Sequence, residues 1–152
     1  MNEQYASIMT TFPLLQGLTQ HGAEMLLAAG EIKVYRPGQW LCKEGDPASF
    51  TLMILSGKVE VFLERRGKDV LLREMEPGAI LGELGVLCGM PRTASLRSSG
   101  ESAVVQWGTA EFRRLLLRNA NLSERITAQS LRNLIEKERS LIDSMPPDQA
   151  GE

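Results

Sequence analysis

Eight short stretches with strand character follow one another between residues 31 and 107, and turn residues separate each from the next. Near Ile32 and Val34, apolar residues alternate with charged ones, as in a strand with one buried face. Residues 50–55 are almost entirely apolar, which is typical of a buried strand. The turns between these stretches contain Pro37-Gly38, Gly45-Asp46-Pro47, Ser56-Gly57, Arg66-Gly67 and Pro77-Gly78. Short strands at this even spacing predict a closed or two-layered antiparallel roll.

Helical patterns flank this β region on both sides. Before it, Thr19 is placed to cap a short helix over residues 19–29. After it, apolar residues return to helical spacing, which predicts two helices within residues 109–143. The predicted fold class is mainly β with flanking helices: an eight-stranded antiparallel, jelly-roll-like β-roll with an N-terminal helix and two C-terminal helices. We assign residues 1–145 to one domain and residues 146–152 to a flexible tail.

Composition and charge argue against several classes of function. The chain of 152 residues has 43% apolar and 24% charged residues, as globular domains do. Its formal net charge is −2, whereas nucleic-acid-binding proteins usually carry a basic surplus, so we expect no nucleic-acid partner. We see neither a signal peptide nor an apolar run long enough to span a membrane, and we expect a cytoplasmic protein.

The sequence offers few side chains for catalysis or metal binding. His21 is the single histidine, and it falls in the predicted N-terminal helix rather than in the β-roll. The chain therefore lacks the histidine cluster of a metal-dependent jelly-roll enzyme and the histidine of a catalytic triad. Cys42 and Cys88 form no metal-binding pair, and we expect both thiols to be buried. We predict no metal site, no catalytic residues and no enzymatic activity.

The segment from Leu81 to Ser95 carries the strongest indication of chemistry. A strand is expected to end at Gly82, where the main chain can approach a ligand closely. One helical turn is expected over residues 84–88, and Gly85 would leave its first amide groups unshielded by a side chain. Unpaired amide groups at the start of a helical turn favour an anion.

Two charged side chains of this segment complement a ribose phosphate. Arg92 can donate two parallel hydrogen bonds to a phosphate from its planar guanidinium. Glu83 offers a carboxylate that accepts from a ribose hydroxyl. A plain structural interpretation stands beside this one, in which Arg92 is only the ion-pair partner of Glu83.

The order of residues in this segment resembles the phosphate-binding cassette of the cyclic-nucleotide-binding family, which includes catabolite activators and kinase regulatory subunits. The cassette has an aliphatic or aromatic residue, then Gly-Glu-aliphatic-(Ala/Ser)-aliphatic, a short loop and Pro-Arg-x-Ala. Here Leu81-Gly82-Glu83-Leu84-Gly85-Val86 and Pro91-Arg92-Thr93-Ala94 stand at the matching positions. The turn glycines and terminal helices extend the resemblance over about residues 12–142.

The resemblance implies a role for each matched residue. Glu83 would accept from the ribose 2′-hydroxyl, and Arg92 would pair with the cyclic phosphate. Main-chain amides near Leu84, Gly85 and Thr93 would donate to phosphate oxygens, and the Thr93 hydroxyl would contact the phosphate or the base. The implied ligand-binding residues are Gly82, Glu83, Leu84, Gly85, Arg92, Thr93 and Ala94. Gly85 departs from the usual Ala or Ser, and we expect a looser turn there that weakens binding.

The implied function is a signalling receptor module for a 3′,5′-cyclic nucleotide, either cAMP or cGMP. In this family the C-terminal helix covers the nucleotide or pairs with its copy in a dimer, and here Lys137 or Ser140 could reach the base. Since the chain ends about ten residues after Ile142, we expect no DNA-reading unit and expect regulation in trans, through a protein effector or a homodimer. The alternative is an interaction domain that has kept the fold and lost the ligand, and Gly85 is its main support.

Overall fold

Two four-stranded sheets and five α-helices make up residues 2–143, the part of the chain that the computed structural model describes, with side chains described for residues 3–139. The helices are α1 (Asn2–Met9), α2 (Gln20–Ala28), α3 (Glu83–Cys88), α4 (Thr109–Arg118) and α5 (Ala120–Asp143), with a 3₁₀ turn at Pro13–Leu15. The strands are β1 (Glu31–Tyr35), β2 (Trp40–Cys42), β3 (Phe50–Ser56), β4 (Val59–Arg65), β5 (Lys68–Met75), β6 (Ile80–Leu81), β7 (Ser95–Ser98) and β8 (Ser102–Gly108).

All strand pairs are antiparallel. The first sheet, which we call the helix-side sheet, has the order β1-β8-β3-β6, and the second, the cleft-side sheet, has the order β2-β7-β4-β5. The chain passes repeatedly from one sheet to the other, as in a jelly roll. The predicted fold class, an eight-stranded antiparallel β-roll with flanking helices, is confirmed.

The helix-side sheet separates two hydrophobic cores. Successive residues of a strand point to opposite faces of its sheet. In β3, Leu52 and Ile54 belong to the core between the two sheets, whereas Met53 and Leu55 belong to the core beneath the helices. All four are at most 1% exposed, and this double burial explains why β3 is apolar without alternation.

The helical layer is tied to this sheet by Trp107 of β8. Its indole ring is buried and stacks on Phe112 of α4, with ring centroids 6.4 Å apart. Its Nε1 donates a hydrogen bond of 2.9 Å to the carbonyl oxygen of Leu26, in the last turn of α2. At the other end of α2, the Thr19 hydroxyl accepts from the main-chain nitrogen of Gly22 at 3.0 Å, as the N-cap interpretation predicts.

The structure differs from the sequence interpretation at two points. Helix α1 was not predicted, because Ala6 and Met9 are its only fully buried apolar residues and it packs on α2 rather than forming a strong apolar stripe. The expectation of two buried thiols is wrong for Cys88, which is exposed at the end of α3, while Cys42 is half-buried. The predicted tail over residues 146–152 lies outside the described residues.

Candidate functional site

A cleft lies between the cleft-side sheet, the segment from Leu81 to Ala94 and helix α5, and its empty space is about 680 Å³ when the adjoining open solvent is included. The floor consists of strand residues and the far wall is helical. All seven residues predicted to bind the ligand line this cleft. The full lining is Cys42, Val61, Leu72, Arg73, Leu81, Gly82, Glu83, Leu84, Gly85, Arg92, Thr93, Ala94, Leu96, Asn133, Leu134 and Lys137.

Gly82 is the residue before α3, and its backbone has a φ of 81°, a conformation that favours glycine. A Cβ atom at this position would lie 2.3 Å from Nη1 of Arg92. The left-handed backbone therefore favours glycine, and the missing Cβ also leaves room for the arginine beside the main chain. This close approach places the guanidinium directly beside the start of α3.

The Arg92 side chain is buried, with 5% of its surface exposed. Its Nη1 donates to the carbonyl oxygen of Gly82 at 3.2 Å, and its Nη2 donates to that of Phe50 at 2.6 Å. The guanidinium also lies over the Phe50 ring, 4.5 Å from its centroid. The Nε–H is buried and has no hydrogen-bond partner within the described part of the chain. The guanidinium is thus fixed in the cleft with donor capacity to spare.

Glu83, the first residue of α3, is also buried at 5% exposed. Its Oε1 accepts a hydrogen bond of 2.7 Å from the hydroxyl of Ser130 on α5. Burial raises the pKa of the Glu83 carboxyl, against the lowering effect of the Ser130 hydrogen bond. Among the described residues Glu83 and Arg92 form no ion pair, so the interpretation of Arg92 as the structural partner of Glu83 is wrong.

The presence of glycine at position 85 is explained by packing, which the sequence did not reveal. Gly85 is buried in α3, and a Cβ atom there would lie 2.5 Å from Cβ of Ala48 and 3.0 Å from the carbonyl oxygen of Met90. The chain before β3 therefore packs directly on α3 at this residue. The turn is therefore not loose as expected, because Gly85 allows Ala48 to pack closely against α3.

The remaining predicted residues, Leu84, Thr93 and Ala94, are half-buried on the cleft wall. The carbonyl oxygen of Thr93 accepts a hydrogen bond of 3.0 Å from Nζ of Lys137 on α5. The Sγ of Cys42 donates weakly to the carbonyl oxygen of Ala94 over 3.9 Å, and burial raises the pKa of that thiol. The carbonyl oxygens of Thr93 and Ala94 thus accept hydrogen bonds from the Lys137 and Cys42 side chains.

Helix α5 closes the cleft through side chains from several of its turns. Besides Ser130 and Lys137, Gln129 accepts through its Oε1 from the main-chain nitrogen of Ile80 at 3.3 Å. Burial lowers the pKa of the Lys137 ammonium group. Lys137 is one of the two residues considered for the base, and the side chain of the other, Ser140, lies outside the described residues.

Three polar residues at the site were not predicted: Arg73 and Asn133, which line the cleft, and Ser130, which donates to Glu83. Arg73 of β5 pairs with Glu136, and its Nη2 donates to the carbonyl oxygen of Asn133 at 3.4 Å. Ser130 and Asn133 stand three residues apart, with Leu134 and Lys137 following at helical spacing. That spacing was an available signal for one helix face. No comparable signal marks Arg73, because the strand pattern alone does not say which charged residues face a cleft.

Other kinds of site find no support in the part of the chain that was described. No group of three or more histidine, cysteine, aspartate or glutamate residues there is placed to hold a metal ion. None of the described helices combines the length and apolar character that crossing a membrane requires.

Comparison with known proteins identifies the family. The family model for the cyclic nucleotide-binding domain matches residues 32–119, and the chain belongs to this family. A relative, the cAMP-dependent protein kinase regulatory subunit of Colletotrichum orbiculare, is 33% identical over 112 residues, which is 74% of this chain and 28% of the relative. The chain thus spans less than a third of the length of that curated relative.

Two solved structures share the fold. The Thermus thermophilus catabolite activator protein superimposes with a TM-score of 0.75 at 24% identity, covering 85% of this chain and 61% of that one. The regulatory subunit of a cAMP-independent protein kinase A from Trypanosoma brucei gives a TM-score of 0.77 at 22% identity, covering 91% and 49%.

Proposed function

We propose that this domain is a signalling receptor for a 3′,5′-cyclic mononucleotide, cAMP or cGMP, and that Gly82, Glu83, Leu84, Gly85, Arg92, Thr93 and Ala94 form its ligand site. The observation that carries the proposal is the buried guanidinium of Arg92, which lines the cleft and whose Nε–H has no hydrogen-bond partner among the described residues. A buried unpaired donor costs free energy, and an anionic acceptor in the cleft relieves that cost. The cyclic phosphate supplies such an anion.

Glu83 supports a sugar-bearing ligand rather than a simple anion. Its buried carboxylate already accepts from one hydroxyl group, that of Ser130. A ribose 2′-hydroxyl offers the same donor. Apolar residues of the floor, Val61, Leu72 and Leu96, then provide a surface for the base.

Helix α5 is the proposed reporter of occupancy. It contacts Glu83 through Ser130 and the main chain of Thr93 through Lys137, so a ligand that changes either contact also changes the position of α5. Its Leu131 and Ile135 side chains are 56% and 49% exposed, and they offer a face for a protein effector or a second copy of the chain. We propose that the domain regulates a partner in trans through this helix, and the exposed apolar face supports that proposal.

A calorimetric titration of the full chain with cAMP and with cGMP tests the proposal. We expect at least one of them to bind with Kd below about 100 μM, near −5.5 kcal/mol. Arg92→Ala should weaken this binding by about 10- to 100-fold, since hydrogen bonds to charged groups contribute about 1.5–3 kcal/mol. Arg36→Ala, at an exposed position on the turn after β1, is the matched control and should bind as the wild type does.

Loss of binding in Arg92→Ala counts only if the variant is folded, because Arg92 also donates to two main-chain carbonyls. Circular dichroism settles that point, and Glu83→Gln provides a second variant with a preserved shape. Retained affinity in both variants would contradict the site.

The ligand-free interaction domain is the second candidate. One observation favours it: the Ser130 hydroxyl already bonds to Oε1 of Glu83, one of the two carboxylate oxygens that a ribose hydroxyl could use. The same titration decides, because the wild type would then bind neither nucleotide while α5 still offered its exposed apolar face.

A further inference from the structure

A second groove, outside the cleft, runs beside the first half of α5, and we call it the arginine groove. It consists of two hollows of about 710 and 1070 Å³, with the adjoining open solvent included. The first hollow lies between residues 14–18 and the junction of α4 with α5, and the second lies between Pro13, residues 74–79 and α5. Leu14 and Arg125 line both hollows, so the two form one continuous groove.

Aliphatic side chains form the floor of the arginine groove. Leu14 and Leu15 are buried there, and Leu18 and Leu122 are half-buried. Among the described residues that line the groove there is no aromatic side chain on which a nucleic-acid base could stack. The floor therefore suits the aliphatic side chains of a peptide better than it suits a single-stranded nucleic acid.

Positive charge lines the groove through three arginines: Arg118, Arg125 and Arg132. None of them forms an ion pair with a carboxylate among the described residues. Glu74 and Glu76 also line the second hollow, but their carboxylates lie 3.5 and 3.9 Å from Nζ of Lys58. The acidic side chains are thus engaged by a lysine, whereas the arginines are left for an outside partner.

The spacing of the arginines indicates the form of that partner. Nη1 of Arg125 donates to the carbonyl oxygens of Gln16 at 2.6 Å and Leu14 at 3.5 Å, which fixes the guanidinium at the groove and leaves its other nitrogens free to donate. Arg132 follows seven residues later on the same helix face, about 10 Å along the axis. A polyproline II chain has three residues per turn and rises about 3.1 Å per residue, so every third side chain lies on one face about 9 Å apart.

We propose that the arginine groove binds an acidic segment of a partner protein in the polyproline II conformation. Carboxylates at every third residue of the segment meet the arginines, and the aliphatic residues between them pack on the leucine floor. The proposal does not depend on nucleotide binding, because the groove and the cleft share none of their described lining residues.

Fluorescence anisotropy of the nucleotide-free full chain with two labelled peptides tests the proposal. Glu-Leu-Pro-Glu-Leu-Pro-Glu has the required spacing, and Glu-Glu-Glu-Leu-Pro-Leu-Pro has the same composition and charge with the carboxylates clustered. We expect the spaced peptide to bind with Kd below about 1 mM at low salt, at least about threefold more tightly than the clustered one. Binding should weaken as salt is added, because ions screen exposed charges.

The double variant Arg118→Gln/Arg132→Gln removes two exposed positive charges of the groove. It should weaken binding of the spaced peptide by about 3- to 20-fold, since each exposed ion pair contributes a factor of about 1.5 to 5. Arg36→Gln/Arg66→Gln has the same net charge and changes two exposed positions away from the groove. This matched control should keep the wild-type affinity.

Three results would overturn the proposal: no binding of the spaced peptide, equal affinity for the two peptides, or equal losses in the two double variants. Two further measurements test other occupants. A single-stranded DNA of about ten nucleotides that binds more tightly than the spaced peptide would overturn the assignment to a protein segment. Self-association of the wild type that Arg118→Gln/Arg132→Gln abolishes, measured by sedimentation, would make a second copy the occupant and overturn it as well.

Discussion

At the scale of single residues, Gly85 is the position where sequence and structure suggest different causes. The sequence interpretation treats this glycine as a loose point in the helical turn. In the structure Ala48 packs on α3 at Gly85, so closely that a Cβ atom added to Gly85 would clash with Cβ of Ala48. The small size of Gly85 is thus the condition for tight packing beside the cleft.

Gly85→Ala is therefore expected to destabilise the fold by about 1–3 kcal/mol, the usual cost of overpacking. Adding Ala48→Gly should recover part of this loss, because the closest clash, with Cβ of Ala48, then disappears. Urea unfolding followed by circular dichroism measures both variants and the coupling between them.

Gly100→Ala is the control for that experiment. Its added Cβ atom would meet nothing within 4 Å, so the free energy of unfolding should hardly change. Equal costs at positions 85 and 100, or the absence of any recovery in the double variant, would remove the packing explanation.

At the scale of elements, α5 decides whether the cleft is closed. Ser130 donates to Glu83, Lys137 donates to Thr93, Gln129 accepts from Ile80 and Glu136 pairs with Arg73, so several of its residues attach the helix to the rest of the domain. The first of these contacts uses the Glu83 carboxylate, which the proposed ligand also needs. Ser130 thus competes with the ribose hydroxyl for one carboxylate.

Ser130→Ala should release this competition. We expect nucleotide to bind more tightly by about 2- to 10-fold, the range of one ordinary hydrogen bond. We also expect faster amide hydrogen exchange in α5, because one of its attachments is gone. Ser123→Ala, on the same helix but without a hydrogen bond to Glu83, should change neither quantity. Weaker binding by Ser130→Ala would instead make Ser130 part of the ligand site.

At the scale of the whole molecule, the helical layer and the β-roll are joined through Trp107. Its indole N–H satisfies the carbonyl oxygen of Leu26 at the end of α2, and its ring fills the core against Phe112. Trp40 lies in a more exposed environment than Trp107. It is only partly buried, packs edge-on against Phe62 and lies beneath the charged ends of Lys43 and Arg97.

Trp107→Phe should destabilise the protein by about 1–3 kcal/mol, because a buried carbonyl loses its partner. Trp40→Phe, the matched change at a partly exposed site, should cost less than about 1 kcal/mol. Urea unfolding monitored by circular dichroism compares the two without depending on tryptophan fluorescence. A larger loss for Trp40→Phe would mean that the cleft-side sheet, rather than the junction with the helices, governs stability.

Much of the fold follows from local patterns. The turn residues and the period of the apolar residues predict the eight strands, α2 and the two C-terminal helices, although not α1. The cassette is equally local: Gly82, Glu83 and Arg92 lie within eleven residues, and their chemistry is legible in their order. The structure brings them, with the other four predicted residues, into one cleft.

What only the tertiary structure decided concerns contacts between segments far apart in the chain. Arg73 faces the cleft because β5 pairs with β4 at one edge of the sheet, and Ser130 reaches Glu83 because α5 folds back across it. Gly85 must be small because Ala48 arrives from before β3. The sequence by itself determined the elements and the cassette, since those depend on neighbours along the chain. The partners of each side chain depended on packing between elements, which no local pattern encodes.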